Sequence, residues 1–133
     1  MSNDPLLQPF QLKHLTLRNR IMTTSHEPAY PEDGMPKERY AAYHAERAKA
    51  GVALAMTAGS AAVSKDSPPV FNNILAYNDE VVPHIRRLTD ACHEHGCAVM
   101  IQLTHLGRRT GWNKGNWLPS VSSSKHREPA HRA

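Results

Sequence analysis

Val52-Ala53-Leu54-Ala55-Met56-Thr57 is a continuous apolar run with no polar alternation, placed directly after Gly51. A strand with one wet face alternates, so an unbroken run fits a strand covered on both faces, as in a parallel sheet. The residues before it, Lys37 to Ala50, are rich in Ala, Glu, Arg and Lys, all strong helix formers. Pro36 suits the first turn of that helix, where a missing N–H costs nothing, and Gly51 is a natural stop just past its end. Tyr40, Tyr43 and Ala48 are expected to share its inward face. Earlier still, Ile21-Met22-Thr23-Thr24 reads as a short strand rich in β-formers, followed by a loop over 25–35 that holds two prolines and Gly34.

The same pattern continues C-terminally. A second long loop is expected from Gly59 to Asn78, with Pro68-Pro69 and Asn72-Asn73 within it. Asp79 is the expected N-cap of a helix through about His95, and Pro83 is near enough to the helix start to be tolerated. Val82, Ile85, Leu88, Thr89 and Cys92 recur at helical spacing, Gly96 ends the helix, and Cys97 to Leu103 form a third buried strand. Ahead of all this, Phe10–Leu12 and Leu15–Leu17 read as a hairpin about Lys13-His14, although that turn lacks the favoured Asn-Gly chemistry.

The order is therefore hairpin, strand, helix, strand, helix, strand, an α/β pattern with parallel pairing through right-handed crossovers. Long loops follow each strand, where a barrel or doubly wound sheet places its functional groups. The first strand-to-helix loop has neither GxGxxG nor a P-loop, so a Rossmann nucleotide site has no support. Three strands cannot hide both faces of a parallel sheet. Residues 1–133 thus read as part of a larger fold.

Composition narrows the classes. The chain is 40% hydrophobic and 21% charged, ordinary for a globular domain, and no run approaches the roughly 18 apolar residues of a membrane span. Asp4 and two early prolines stand where a signal peptide would be basic and then apolar, so export is not expected. Two cysteines cannot make a disulfide framework, which points to a reducing cytoplasm. The net charge of +4 is uneven: residues 1–107 carry ten basic and eleven acidic side chains, and 108–133 six basic against Glu128 alone. A basic tail admits a nucleic-acid-binding module, but without interleaved aromatics or a recognisable module, no nucleic-acid partner is expected. A self-contained structural domain is the other alternative. Cys92-His93-Glu94-His95-Gly96-Cys97 resembles a metal site in composition only. Its spacing straddles a helix end and a strand, which points the ligands apart, so no metal is expected.

Three motifs in order carry a resemblance. LKHLTLRNRI (12–21), TAGSAAV (57–63) and IQLTHLGR (101–108) resemble the opening, the second strand and the IQL-x-H-x-GR third strand of the Old Yellow Enzyme superfamily of NADH:flavin oxidoreductases. HEPAYPEDGMP (26–36) and the RYAAYHAERAKAGVAL that follows are closer to the branch with 2,4-dienoyl-CoA reductase, trimethylamine dehydrogenase and the N-methylproline demethylases. The resemblance implies the N-terminal hairpin and about three βα units of a TIM (β/α)8 barrel that binds FMN, with the remainder of the barrel outside these residues. Members of this branch commonly add a 4Fe-4S cluster and nucleotide-binding domains, which here would lie beyond Ala133.

Residue by residue, the resemblance implies Thr24 and Ser25 against the flavin ring, Gly59 at its carbonyl edge and Gln102 on its pyrimidine side. A Gln amide offers both a donor and an acceptor to that edge. In trimethylamine dehydrogenase a His precedes the flavin-linking Cys; here His26 is followed by Glu27, so FMN is expected to be noncovalent. His26, Glu27 and His105 are the catalytic candidates, and Arg108 is expected to pair with a carboxylate. His14, His44, His84, His126 and His131 read as surface residues. The implied reaction is hydride transfer to or from flavin, leaning to oxidative N-demethylation of an N-methyl amine such as N-methylproline. NAD(P)H-dependent reduction of an activated C=C bond is the alternative. Ala58 replaces one of the rings around trimethylamine, which argues against that substrate. The FMN phosphate of such barrels is held by loops after strands seven and eight, so the 133-residue chain alone is expected to be inactive, with the rest of the barrel or further copies as its partner.

Overall fold

The structure, a computed structural model, describes residues 3–67, 72–107 and 121–124. A 3-10 turn at Pro5–Leu7 precedes a hairpin of β1 (Phe10–Leu12) and β2 (Leu15–Leu17), in register Phe10↔Leu17 and Leu12↔Leu15. The turn forms without glycine because Lys13 itself takes a left-handed φ of 52°. The Gln11 side chain braces it, donating to the Lys13 carbonyl at 2.7 Å and accepting from the Thr16 hydroxyl at 2.7 Å.

Three parallel strands follow in the order β3 (Met22–Thr23), β4 (Leu54–Ala62) and β5 (Ala98–Thr104). They alternate with α1 (Glu38–Lys49) and α2 (Val81–His93), as the apolar patterning predicts. Tyr40, Ala41 and Ala48 of α1 and Val81, Leu88 and Cys92 of α2 share one core with Ala55 and Ala61 of β4. Val99 and Ile101 of β5 pack against that core, which puts them on the helix-covered face of the sheet.

Side chains alternate along a strand, so Ala98, Met100 and Gln102 point to the opposite face. At the start of that face Leu12, Leu15 and Leu17 pack on Ala53, Leu54 and Ala98. The hairpin thus covers the N-terminal end of the sheet and leaves the C-terminal end, with Gln102, to the long loops. Beyond the hairpin that face stays open: Met22 and Met100 are both exposed. Arg18 and Asn19 fasten the hairpin's exit to the end of α1. The Arg18 guanidinium donates to the Ala48 and Val52 carbonyls at 2.7 and 3.0 Å, and the Asn19 amide donates to the Gly51 carbonyl at 2.8 Å.

Four details differ from the sequence reading. The strand begun at Leu54 does not stop before Gly59 but runs to Ala62, with a register shift against β5 between Thr57 and Ala61. Gly59 therefore sits inside an irregular strand, where bulges and close backbone approaches favour glycine. Asp79 does not cap α2. The Asn78 side chain accepts the Glu80 N–H at 3.0 Å and the helix begins at Val81. Pro36 lies just outside α1 rather than in its first turn.

His44 is the fourth and the largest correction. It is not a surface residue but only 2% exposed, wedged between the Tyr40 and Tyr43 rings at centroid distances of 5.1 and 5.2 Å. Neither ring nitrogen has a hydrogen-bond partner, and burial, with the Arg47 charge nearby, pulls its pKa down to about 4. The i, i+4 spacing with Tyr40 puts both on the inward face, and a neutral imidazole serves there as an aromatic filler. His14 is exposed as expected and His84 is half-buried; His126, His131 and Arg108 lie outside the described residues. No helix among the described residues is long and apolar enough to cross a membrane.

Candidate functional site

β3, β4 and β5 run parallel, so their C-terminal ends lie at one edge of the sheet and bring distant residues together. Ser25 follows β3, Gly59 lies in the irregular part of β4, and Gln102 sits near the end of β5. The Gln102 Nε2 donates to the Gly59 carbonyl at 2.8 Å, and the Ser25 hydroxyl donates to Gln102 Oε1. This pairing fixes which way the amide faces. A carbonyl can only accept, so the atom facing Gly59 is the nitrogen and the atom facing Ser25 is the oxygen. One N–H and one lone pair of the Gln102 amide remain for something else, on a residue that is only half-buried.

Gly59 is required by the chain's own packing. A Cβ there would lie 2.8 Å from the Cβ of Glu27, 3.0 Å from the Ser25 carbonyl oxygen and 3.1 Å from the Glu27 backbone nitrogen. The close approach it permits is that of the segment after β3, which is what carries Ser25 to Gln102. Glu27 is half-buried beside it. Its Oε1 accepts the Ala29 N–H at 2.9 Å, and its Oε2 is buried without a partner. Burial raises the Glu27 carboxyl above the usual range, with the Ala29 hydrogen bond working against it. Desolvation of this kind favours the protonated acid.

Thr24 and His26 are both exposed on the same segment, joined by a hydrogen bond from the His26 N–H to the Thr24 carbonyl at 2.7 Å. The structure thus gathers Ser25, Glu27, Gly59 and Gln102 into one cluster and sets Thr24 and His26 at its rim.

His105 belongs to a different group. Its Nδ1 accepts the Gly107 N–H at 3.0 Å, so the ring proton is on Nε2 and is donated to Asp66 Oδ1 at 3.1 Å. Ser67 adds a second tie by accepting the Leu106 N–H through its hydroxyl at 2.9 Å. Hydrogen bonds from Ser64 and then His105 hold the Asp66 carboxyl below its usual range. Asp66 and Ser67 escape sequence reasoning, since a Lys-Asp-Ser stretch in a polar loop carries no periodicity or motif.

Cys92 and Cys97 both turn into the core while His93 and Glu94 stay exposed, and the described residues hold no group of three or more metal-ligand side chains. A surface groove along α2 is lined by Val82, Pro83, Arg86, Arg87, Asp90, Ala91 and Glu94, and contains none of the strand-tip residues.

The free donor and acceptor of Gln102 fit the polar rim of a flavin, which alternates acceptors and a donor along its pyrimidine edge. The model of the NADH:flavin oxidoreductase / NADH oxidase family matches residues 5–131. The chain is 77% identical over its whole length to a probable N-methylproline demethylase of Rhizobium meliloti (strain 1021), covering 20% of that protein. It is 53% identical over 99% of its length to a multifunctional alkene reductase/demethylase of Caballeronia cordobensis, again covering 20%. The chain therefore spans about a fifth of the length of each of these two relatives. A morphinone reductase in complex with tetrahydroNAD shares its fold with a TM-score of 0.73 at 22% identity, over 82% of this chain and 29% of that one.

Proposed function

The chain belongs to the NADH:flavin oxidoreductase / NADH oxidase family, and on that footing we propose that it forms the opening of an FMN-dependent (β/α)8 barrel whose reaction is oxidative N-demethylation. The observation that carries the flavin reading is Gln102, pinned between Ser25 and Gly59 with one N–H and one lone pair left to offer. On this reading that amide and the Gly59 strand tip meet the pyrimidine edge of FMN, and Thr24 and Ser25 lie beside the ring. The flavin, when bound, supplies a two-electron acceptor and donor of hydride. It is held noncovalently, because Glu27 occupies the place of a linking cysteine. Its phosphate is met by later loops of the barrel, so the 133 residues alone bind FMN weakly or not at all.

The exposed His26 ring and the half-buried Glu27 carboxyl face the substrate. A carboxyl whose affinity for protons is raised by burial is suited to hold the proton an ammonium must shed before its N-methyl C–H can release hydride. The iminium formed adds water at carbon and splits into the secondary amine and formaldehyde. His105 acts at one remove: with both ring nitrogens engaged, it clasps the loop after β5 to the loop after β4. The exposed Met22, Met100 and Leu103 are covered by the rest of the barrel, and a 4Fe-4S cluster belongs to a later domain.

The N-methylproline lean rests on the 77% identical relative. Reduction of an activated alkene with NAD(P)H is the second reading, favoured by the relative whose name joins both activities. Full-length protein supplied with N-methylproline and an electron acceptor is expected to release formaldehyde and proline in equal amounts. Turnover of an activated alkene with NADPH, and no formaldehyde from any N-methyl amine, would replace the first reading with the second.

A further inference from the structure

The Ser25 hydroxyl has one proton to donate, and the structure spends it on Gln102 Oε1 rather than leaving it for a ligand. An isolated glutamine amide turns about its last torsion in a broad two-fold well, so nitrogen and oxygen exchange places readily. Two contacts remove that freedom here. The Gly59 carbonyl accepts only from nitrogen, and the Ser25 hydroxyl, held by the segment packed on Gly59, supplies a proton to the oxygen. With both in place the remaining N–H has one direction. Without Ser25 the amide keeps a single tether.

We propose that Ser25 is a positioning residue: its hydroxyl locks the Gln102 amide with nitrogen toward the β4 tip, and so sets the reduction potential of the flavin bound there. This rests on the flavin reading given above. The physical link is charge. Two-electron reduction places negative charge on the pyrimidine side of a flavin, and a donor held in advance stabilises that charge at no reorganisation cost. A loosened donor stabilises it less, so removal of the Ser25 hydroxyl lowers the potential.

The test is the two-electron reduction potential of FMN in the full-length holoprotein, for wild type, S25A, Q102L and the double variant. S25A is expected to keep its FMN, with the preference for the reduced form weakened about tenfold, about 30 mV for a two-electron couple. S25T, which restores a hydroxyl, returns the potential toward wild type. The double variant falls no further than Q102L alone, since the two residues act as one unit. Should S25A not fold, S25C takes its place, because a thiol is a weak donor. A wild-type potential in FMN-loaded S25A, or additive shifts in the double variant, overturns the proposal and leaves the flavin reading standing. Wild-type protein that binds no FMN overturns both.

Discussion

Gln102 Nε2 lies 2.8 Å from the carbonyl oxygen of Gly59, in the stretch where the ladder between β4 and β5 is interrupted. In a regular parallel pair that carbonyl would be spent on the neighbouring backbone. The shift in register between Thr57 and Ala61 releases it to a side chain, and a bulge near the end of a strand is a common way to aim a group at a site. The irregularity, Gly59 and Gln102 therefore form one device.

G59A tests that device through sterics. The added methyl has no room between the Glu27 Cβ at 2.8 Å and the Ser25 carbonyl at 3.0 Å. Backbone must yield, at a cost of about 1–3 kcal/mol. Thermal unfolding of the full-length variant is expected to show that loss, and FMN affinity to fall roughly tenfold as the β4 tip itself is displaced from the flavin rim. Unchanged affinity would detach Gly59 from the site.

Much of this architecture was legible because apolar periodicity is a strong signal. The unbroken run at Val52–Thr57 and the spacing of Leu88 and Cys92 gave strand and helix correctly. What stayed hidden depends on tertiary context. The extension of β4 to Ala62 follows from pairing with β5, and Ala-Gly-Ser-Ala carries no strand signature of its own. His44 is illegible in the sequence because histidine is usually exposed, whereas here two tyrosines enclose it. The Ser25–Gln102 contact spans 77 residues of sequence, and the Asp66–His105 contact 39, distances over which spacing says nothing.

His44 makes stability depend on pH. Its folded pKa of about 4 lies below the ordinary 6.5, so the fold holds it neutral. The stability from that neutral ring is complete above pH 6.5 and is lost as pH falls toward 4, by at most about 3 kcal/mol. Denaturant unfolding of full-length protein between pH 7 and 4 should show this slope, and H44F should flatten it. An identical slope in H44F would assign it to other groups.

Cys92 and Cys97 are both buried, and the contact between them together with burial pushes the Cys92 thiol well above its usual range. Buried thiols react slowly because the thiolate is the nucleophile. A disulfide reagent at neutral pH is expected to leave Cys92 unmodified in native protein and to modify it only after denaturation. Fast labelling of native Cys92 would contradict its placement in the core.

His105 and Asp66 should behave alike. If the ring only clasps two loops, H105A and D66A each lower kcat/KM less than tenfold, and the double variant is little worse than either. A loss of a hundredfold or more in H105A alone is the scale of general acid–base catalysis and would return His105 to the chemistry.

FMN affinity of the full-length apoprotein, followed by flavin fluorescence in wild type and Q102L, bears most directly on the flavin rim at Gln102. Q102L removes the amide and strands both the Ser25 hydroxyl and the Gly59 carbonyl, at about 1–3 kcal/mol, so its dissociation constant should rise roughly tenfold to a hundredfold. A folded Q102L that binds FMN within about twofold of wild type would contradict the account.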